Sequence, residues 1–118
     1  FAVDEREAME KLNTFVNHKI KAANCQKAIL VGHNAHFDHS FILAACQRQK
    51  VKFMFHSFST FDTVSLSALL LGETVLAKAL RATKLGYDVN EAHSALYDAT
   101  QTAKLFCHLV NNTQYIQD

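Results

Sequence analysis

Residues 28–39 read Ala28-Ile29-Leu30-Val31-Gly32-His33-Asn34-Ala35-His36-Phe37-Asp38-His39, a short apolar run closed by glycine and followed at once by a polar cluster. A run of this length is too short for a buried helix and carries β-branched residues, so it reads as an interior strand over 28–32. Such a strand delivers the polar cluster to its carboxyl end, which is where open α/β sheets place ligands. From Asp38 or His39 a helix is expected to about Gln49, burying Phe41, Ile42 and Ala45, with Asp38 as its N-cap or a first-turn residue.

Upstream of the strand, Asp4 with Glu7 three residues on has the form of a capping box. Met9, Leu12, Val16 and Ile20 follow as an apolar stripe, predicting a helix over 4–23. Downstream, Phe53, Phe55, Phe58 and Phe61 have no regular period, so 51–61 reads as an extended loop. Asp62 caps a short helix ending at Gly72; Thr74 caps another, from Val75 to about Lys84, stopped near Gly86. Leu96, Ala99, Ala103, Phe106 and Val110 mark a last amphipathic helix from about Ser94 to Asn111. The expected architecture is α/β but α-rich, with about five helices packed around one central strand whose open edge favours self-association.

The chain has 118 residues, room for one domain, and it contains no proline, three glycines and no linker or repeat. Its net charge of +1, with 49% hydrophobic and 19% charged residues, excludes a disordered or extremely charged chain. No apolar run approaches the ~18 residues of a membrane span. Cys25, Cys46 and Cys107 form no C-x-x-C pair, which argues against a disulfide framework or a cysteine zinc site. They read as buried apolar residues, and a reducing, cytoplasmic setting is expected. His33, His36 and His39 invite a zinc reading, but that spacing around a strand-to-helix turn does not aim three side chains at one point. The opening at Phe1, with neither an initiator Met nor a signal pattern, leads to the expectation that the chain is a piece of a longer protein.

Three residues stand out as chemistry: Asp38, His93 and Asp98. His93 and Asp98 are about 140° apart around a helix, so they converge only if His93 lies on the preceding loop and Asp98 in the first turns. Together, His33-Asn34-Ala35-His36-Phe37-Asp38 and His93-Ser94-Ala95-Leu96-Tyr97-Asp98 resemble the second and third motifs of the DEDDh family of 3′-to-5′ exonucleases. Phe61-Asp62-Thr63, the run from Leu71-Gly72-Glu73-Thr74 to Ala79, and the stretch from His93 to Cys107 extend the resemblance to about residues 1–112.

The resemblance implies a ribonuclease H-like fold and a homodimeric exoribonuclease that trims the 3′ ends of tRNA and other stable RNA precursors. It also implies two Mg²⁺ ions about 4 Å apart, for which hard carboxylate oxygens are suited. By position, Asp38 and Asp98 match the family's metal ligands, and His93 matches its general base, a role that a side chain with a pKa near ~6.5 can fill. Phe37 and Phe58 match aromatics that stack the last bases of a single-stranded 3′ end. Lys21 and Lys27 match a basic patch serving the partner subunit's site.

They fall in a stretch, residues 11–37, that has no Asp or Glu but also holds Lys11 and Lys19, and residues 1–52 carry +3 against −2 for the rest. The plain reading of these lysines is a solvated helix face; the functional one is phosphate contact, which positions nucleic acid without reading sequence. The family's first motif, Asp-x-Glu, is found nowhere in the 118 residues. The chain is therefore expected to be the C-terminal portion, over 1–118, of one exonuclease domain, holding half a metal site and inactive alone. The alternative is a non-catalytic nucleic-acid-binding or dimerisation fragment.

Overall fold

The computed structural model describes residues 3–91 and 94–115, in the order α1 (Glu5–Ala22), β1 (Ala28–Gly32), α2 (Ala35–Gln49), β2 (Phe55–Asp62), α3 (Thr63–Leu71), α4 (Leu76–Ala82) and α5 (Ala95–Asn112). The chain divides into two compact units. One comprises Phe1–Leu30 with Ala35–Phe61, the other Val31–Asn34 with Asp62–Asp118. No single helix among the described residues is long and apolar enough to cross a membrane.

In the first unit α1 begins as its sequence predicts. The Asp4 carboxylate accepts the Glu7 N–H at 2.7 Å, Glu5 and Glu7 occupy the first turn, and Lys19 and Lys21 the last, an arrangement that complements the helix dipole. Val16 is buried, with Met9, Leu12 and Ile20 half-buried around it, and α1 packs on α2. Polar contacts fix the register of the two helices. Arg6 Nη1 donates to the Gln49 carbonyl at 2.7 Å, Gln49 Nε2 donates to Glu5 at 2.7 Å, and the Arg48 guanidinium pairs with the same carboxylate. Those two donors, Arg48 first, hold the Glu5 carboxyl down at about 2. Burial pushes the Cys46 thiol up.

Helix α2 starts earlier than expected. Asn34 sits in the left-handed region at φ 65° and turns the chain directly off β1, so Asp38 becomes a first-turn residue and not the N-cap. Ala45 is buried and Ile42 half-buried as expected, but Phe41 is 73% exposed; the inward positions go to Ala35, His39 and Cys46.

The expected loop at 51–61 is mostly strand. β2 pairs with β1 in a parallel two-stranded sheet joined through α2, so the single central strand of the sequence reading is corrected to two. The reading missed β2 because burial along it does not alternate but runs in pairs: Phe55 and His56 are half-buried, Ser57 and Phe58 exposed, Ser59 and Thr60 half-buried. His56 Nδ1 also accepts the backbone N–H groups of Phe58 (3.2 Å) and Ser59 (2.9 Å), a local side-chain bond within the strand.

In the second unit α3, α4 and α5 pack against one another around Ala79, Leu80, Leu105 and Leu109, all at most 5% exposed. Each buried leucine contributes roughly 1.5–3 kcal/mol. Asp62 caps α3 by accepting the Val64 N–H at 2.9 Å, and Gly72 ends it at φ 70°, both as expected. Thr74 does not cap α4: the N-cap position is Val75, which makes no side-chain cap bond. α5 corrects a packing expectation, since Leu96 is 79% and Val110 37% exposed. The buried arc is Gln101, Thr102, Leu105 and Leu109, and Leu105 lies half a turn from Leu96 at about 100° per residue. The helix carries two apolar arcs, and spacing alone cannot choose between them.

Candidate active site and nucleic-acid contacts

The turn that follows β1 is held by hydrogen bonds to a histidine ring. His33 Nε2 lies 2.7 Å from the Thr74 carbonyl, which can only accept, so that nitrogen carries the proton. Its Nδ1 meets the Thr63 hydroxyl at 2.8 Å. His39 is buried; its Nε2 donates to the His56 carbonyl at 2.8 Å and its ring meets Phe53 edge-on. These bonds give His33 and His39 structural roles. Among the described residues no group of three or more His, Cys, Asp or Glu is placed to hold a metal ion.

In the first unit, the opening turn of α2 presents His36, Phe37 and Asp38, all exposed, with the His36 and Phe37 rings 4.3 Å apart. Asp38 accepts no hydrogen bond from the described residues. Phe58 on β2 is 81% exposed and Phe37 59%. His56 stands edge-on to Phe58 at 4.4 Å.

Lys21 lines a shallow groove of about 530 Å³ with Asn13, Thr14, Asn17, His18, Lys52 and Met54. Asn13 donates through Nδ2 to the Lys52 carbonyl, which ties the segment after α2 to α1. No carboxylate lines the groove, so its ionisable side chains are Lys21, Lys52 and His18. Lys27 is exposed and lies outside it. The sequence reading did not single out Lys52, His18 or the two asparagines. The signal was present, because Asn13, Asn17 and Lys21 recur every four residues along one helix face.

In the second unit, Asp98 is a half-buried residue of the first turn of α5, whose N-cap Ser94 accepts the Tyr97 N–H at 3.4 Å. The Asp98 carboxylate accepts the Tyr87 hydroxyl at 2.9 Å, its one hydrogen bond among the described residues. His93 lies outside the described residues. Asp38 and Asp98 are both hard oxygen donors with capacity left for a cation, so their chemistry fits divalent metal. Three free cysteines complete the inventory: Cys46 is buried, but Cys25 and Cys107 are exposed, against the expectation of burial.

An α/β chain that places Asp38 and Asp98 each in the opening turn of a helix matches the exonuclease family model RNase_T over residues 2–106, and the chain belongs to that family. It is similar to ribonuclease T of Baumannia cicadellinicola subsp. Homalodisca coagulata, with 56% identity over 94% of this chain and 51% of that protein. Ribonuclease T of Buchnera aphidicola subsp. Schizaphis graminum is 55% identical over 93% of the chain and 51% of its own length. That of Vibrio cholerae serotype O1 is 53% identical over 93% and 50%. Such likeness places the chain with the ribonuclease T type of DEDDh exonuclease, as its motifs imply. The chain spans about half the length of the curated relatives it matches.

Proposed function

We propose that these residues belong to a Mg²⁺-dependent 3′-to-5′ exoribonuclease, active as a homodimer, that trims the 3′ ends of tRNA and other stable RNA precursors. The observation that carries this reading is the pair of motif carboxylates, Asp38 and Asp98, each in the first turn of its helix within a chain of the exonuclease family. Bound Mg²⁺ would supply Lewis acidity toward a water and toward the leaving oxygen. Asp38 and Asp98 would hold it. His93, by its place in the motif, would take the proton from water.

Phe37 and Phe58 offer exposed ring faces to unstacked bases, and Lys21 with Lys52 offers charge to phosphates in the groove; Lys27 adds a further exposed cation. Two exposed unpaired thiols support a reducing compartment, the cytoplasm. Because the 118 residues contain no Asp-x-Glu, they hold part of the metal site, as the C-terminal portion of one exonuclease domain, and are inactive by themselves.

The test is degradation of a 3′-labelled single-stranded RNA with Mg²⁺, using the 118-residue chain and a longer polypeptide that carries it. Turnover is expected from the longer form alone. In that form Asp38→Asn, Asp98→Asn and His93→Ala should each abolish turnover while RNA binding persists. Unchanged rates in these variants would remove the assignment. RNA binding without turnover by the longer form would favour the non-catalytic alternative.

A further inference from the structure

We propose that Tyr87 is a positioning residue whose hydroxyl orients the Asp98 carboxylate for its cation. The inference rests on the reading of Asp98 as a metal ligand. A carboxylate only accepts, so the 2.9 Å contact is donation from the Tyr87 hydroxyl to Oδ1. A metal ligand held in this way keeps its second oxygen for the cation and loses its freedom to rotate, which is what outer partners do in metal sites.

Other contacts hold the loop in place beside this bond. Gly86, at φ 77° where a side chain would be strained, brings the chain onto α5, and its carbonyl accepts the amide of the buried Gln101 at 3.0 Å. On the other side of Tyr87, the Asp88 N–H is accepted by the Tyr97 hydroxyl at 2.6 Å, and Asp88 Oδ1 accepts the Asn90 N–H at 2.9 Å. Both neighbours of Tyr87 are thus anchored through their own backbone groups. The Tyr87 ring also rests against the Tyr97 ring, with centroids 5.4 Å apart. The Tyr87 ring and both neighbouring residues are held by contacts of their own, and the hydroxyl donates to Asp98.

The experiment compares Tyr87→Phe, Asp98→Asn and Leu109→Ala with the unaltered sequence in the full-length polypeptide that carries this chain. Mn²⁺ affinity is read from the spectroscopic signal of free Mn²⁺, beside KM for a single-stranded RNA and thermal unfolding. Leu109→Ala loosens the core side of α5, three turns from Asp98, and serves as the stability control. Tyr87→Phe is expected to weaken Mn²⁺ binding roughly 10-fold, the scale of losing an outer partner, with KM unchanged. Leu109→Ala is expected to lower the unfolding temperature without moving Mn²⁺ affinity. The proposal fails if Tyr87→Phe leaves Mn²⁺ affinity intact while Asp98→Asn lowers it, or if Leu109→Ala weakens it as much as Tyr87→Phe does. If Asp98→Asn itself leaves the affinity unchanged, the reading of Asp98 falls and the proposal with it.

Discussion

Asp62 Oδ1 accepts the backbone N–H of Asn34 at 3.0 Å while the same oxygen caps α3 through the Val64 N–H at 2.9 Å. One carboxylate thereby joins the turn after β1 to the start of α3. The bond also bears on the left-handed residue that launches α2, because Asn34 is the residue at φ 65°. Asp62→Ala removes a helix cap worth about 1 kcal/mol and leaves a second N–H to solvent, so a loss of about 2 kcal/mol is expected. Urea unfolding should show a lower midpoint at unchanged slope. Asp62→Asn, which keeps an acceptor oxygen, should recover most of the loss.

The Glu5 carboxyl is held at about 2 against its ordinary 4.5, chiefly by the Arg48 guanidinium and then by the Gln49 amide. A group whose pKa is depressed in the folded state binds fewer protons than in the unfolded chain. Its contribution is therefore complete above pH 4.5 and is lost as pH falls from there toward 2. The unfolding temperature should drop across that window, and Glu5→Gln should flatten the drop while lowering stability little at neutral pH, as suits an exposed pair. An unaltered acid limb in Glu5→Gln would show that other carboxylates govern the pH dependence.

Ser67 is fully buried on α3, and its Oγ finds no hydrogen-bond partner among the described residues. An unpaired buried hydroxyl costs about 1–3 kcal/mol, and alanine is the better helix former. Ser67→Ala is therefore expected to raise stability, by about 1 kcal/mol once the small void is counted. A calorimetric scan reads this directly. A fall in unfolding temperature would reveal a partner for the hydroxyl.

The parts of the fold governed by local chemistry were legible before the structure. Asp4, Asp62 and Gly72 set helix ends through their own side chains or φ angle, and the Ala28–Gly32 run is short, apolar and closed by glycine. The parts missed depend on contacts distant in sequence. β2 is defined by its pairing with β1 and its burial runs in pairs without alternating, and the buried arc of α5 is chosen by α3 and α4 together with the Gln101 bond to Gly86. Candidate site residues were legible as a list because two short motifs carry them. Tyr87 was not, since nothing in the spacing between residues 87 and 98 says that a phenol and a carboxylate meet. Lys52 was overlooked because Lys21, which lines the same groove, lies on α1, with β1 and α2 between them in sequence.

On the proposed reading, charge and ring faces make separable contributions to RNA binding, and salt distinguishes them. Each lysine that neutralises a phosphate of a single strand adds about 0.7 to the slope of log affinity against log salt, so Lys21→Glu with Lys52→Glu should reduce that slope by roughly 1.4. Phe58→Ala acts otherwise: stacking is worth roughly 1–3 kcal/mol per base and releases no counterion, so affinity should fall about 5- to 150-fold at an unchanged slope. With Phe58 81% exposed, its removal should leave the unfolding temperature in place, so weaker binding could not be attributed to a damaged fold. Fluorescence titration of a labelled single-stranded RNA at several salt concentrations reads both effects. Equal slopes for the lysine pair and the unaltered protein would mean that the groove does not carry phosphate. Unchanged affinity in Phe58→Ala would mean that this exposed ring does not meet a base.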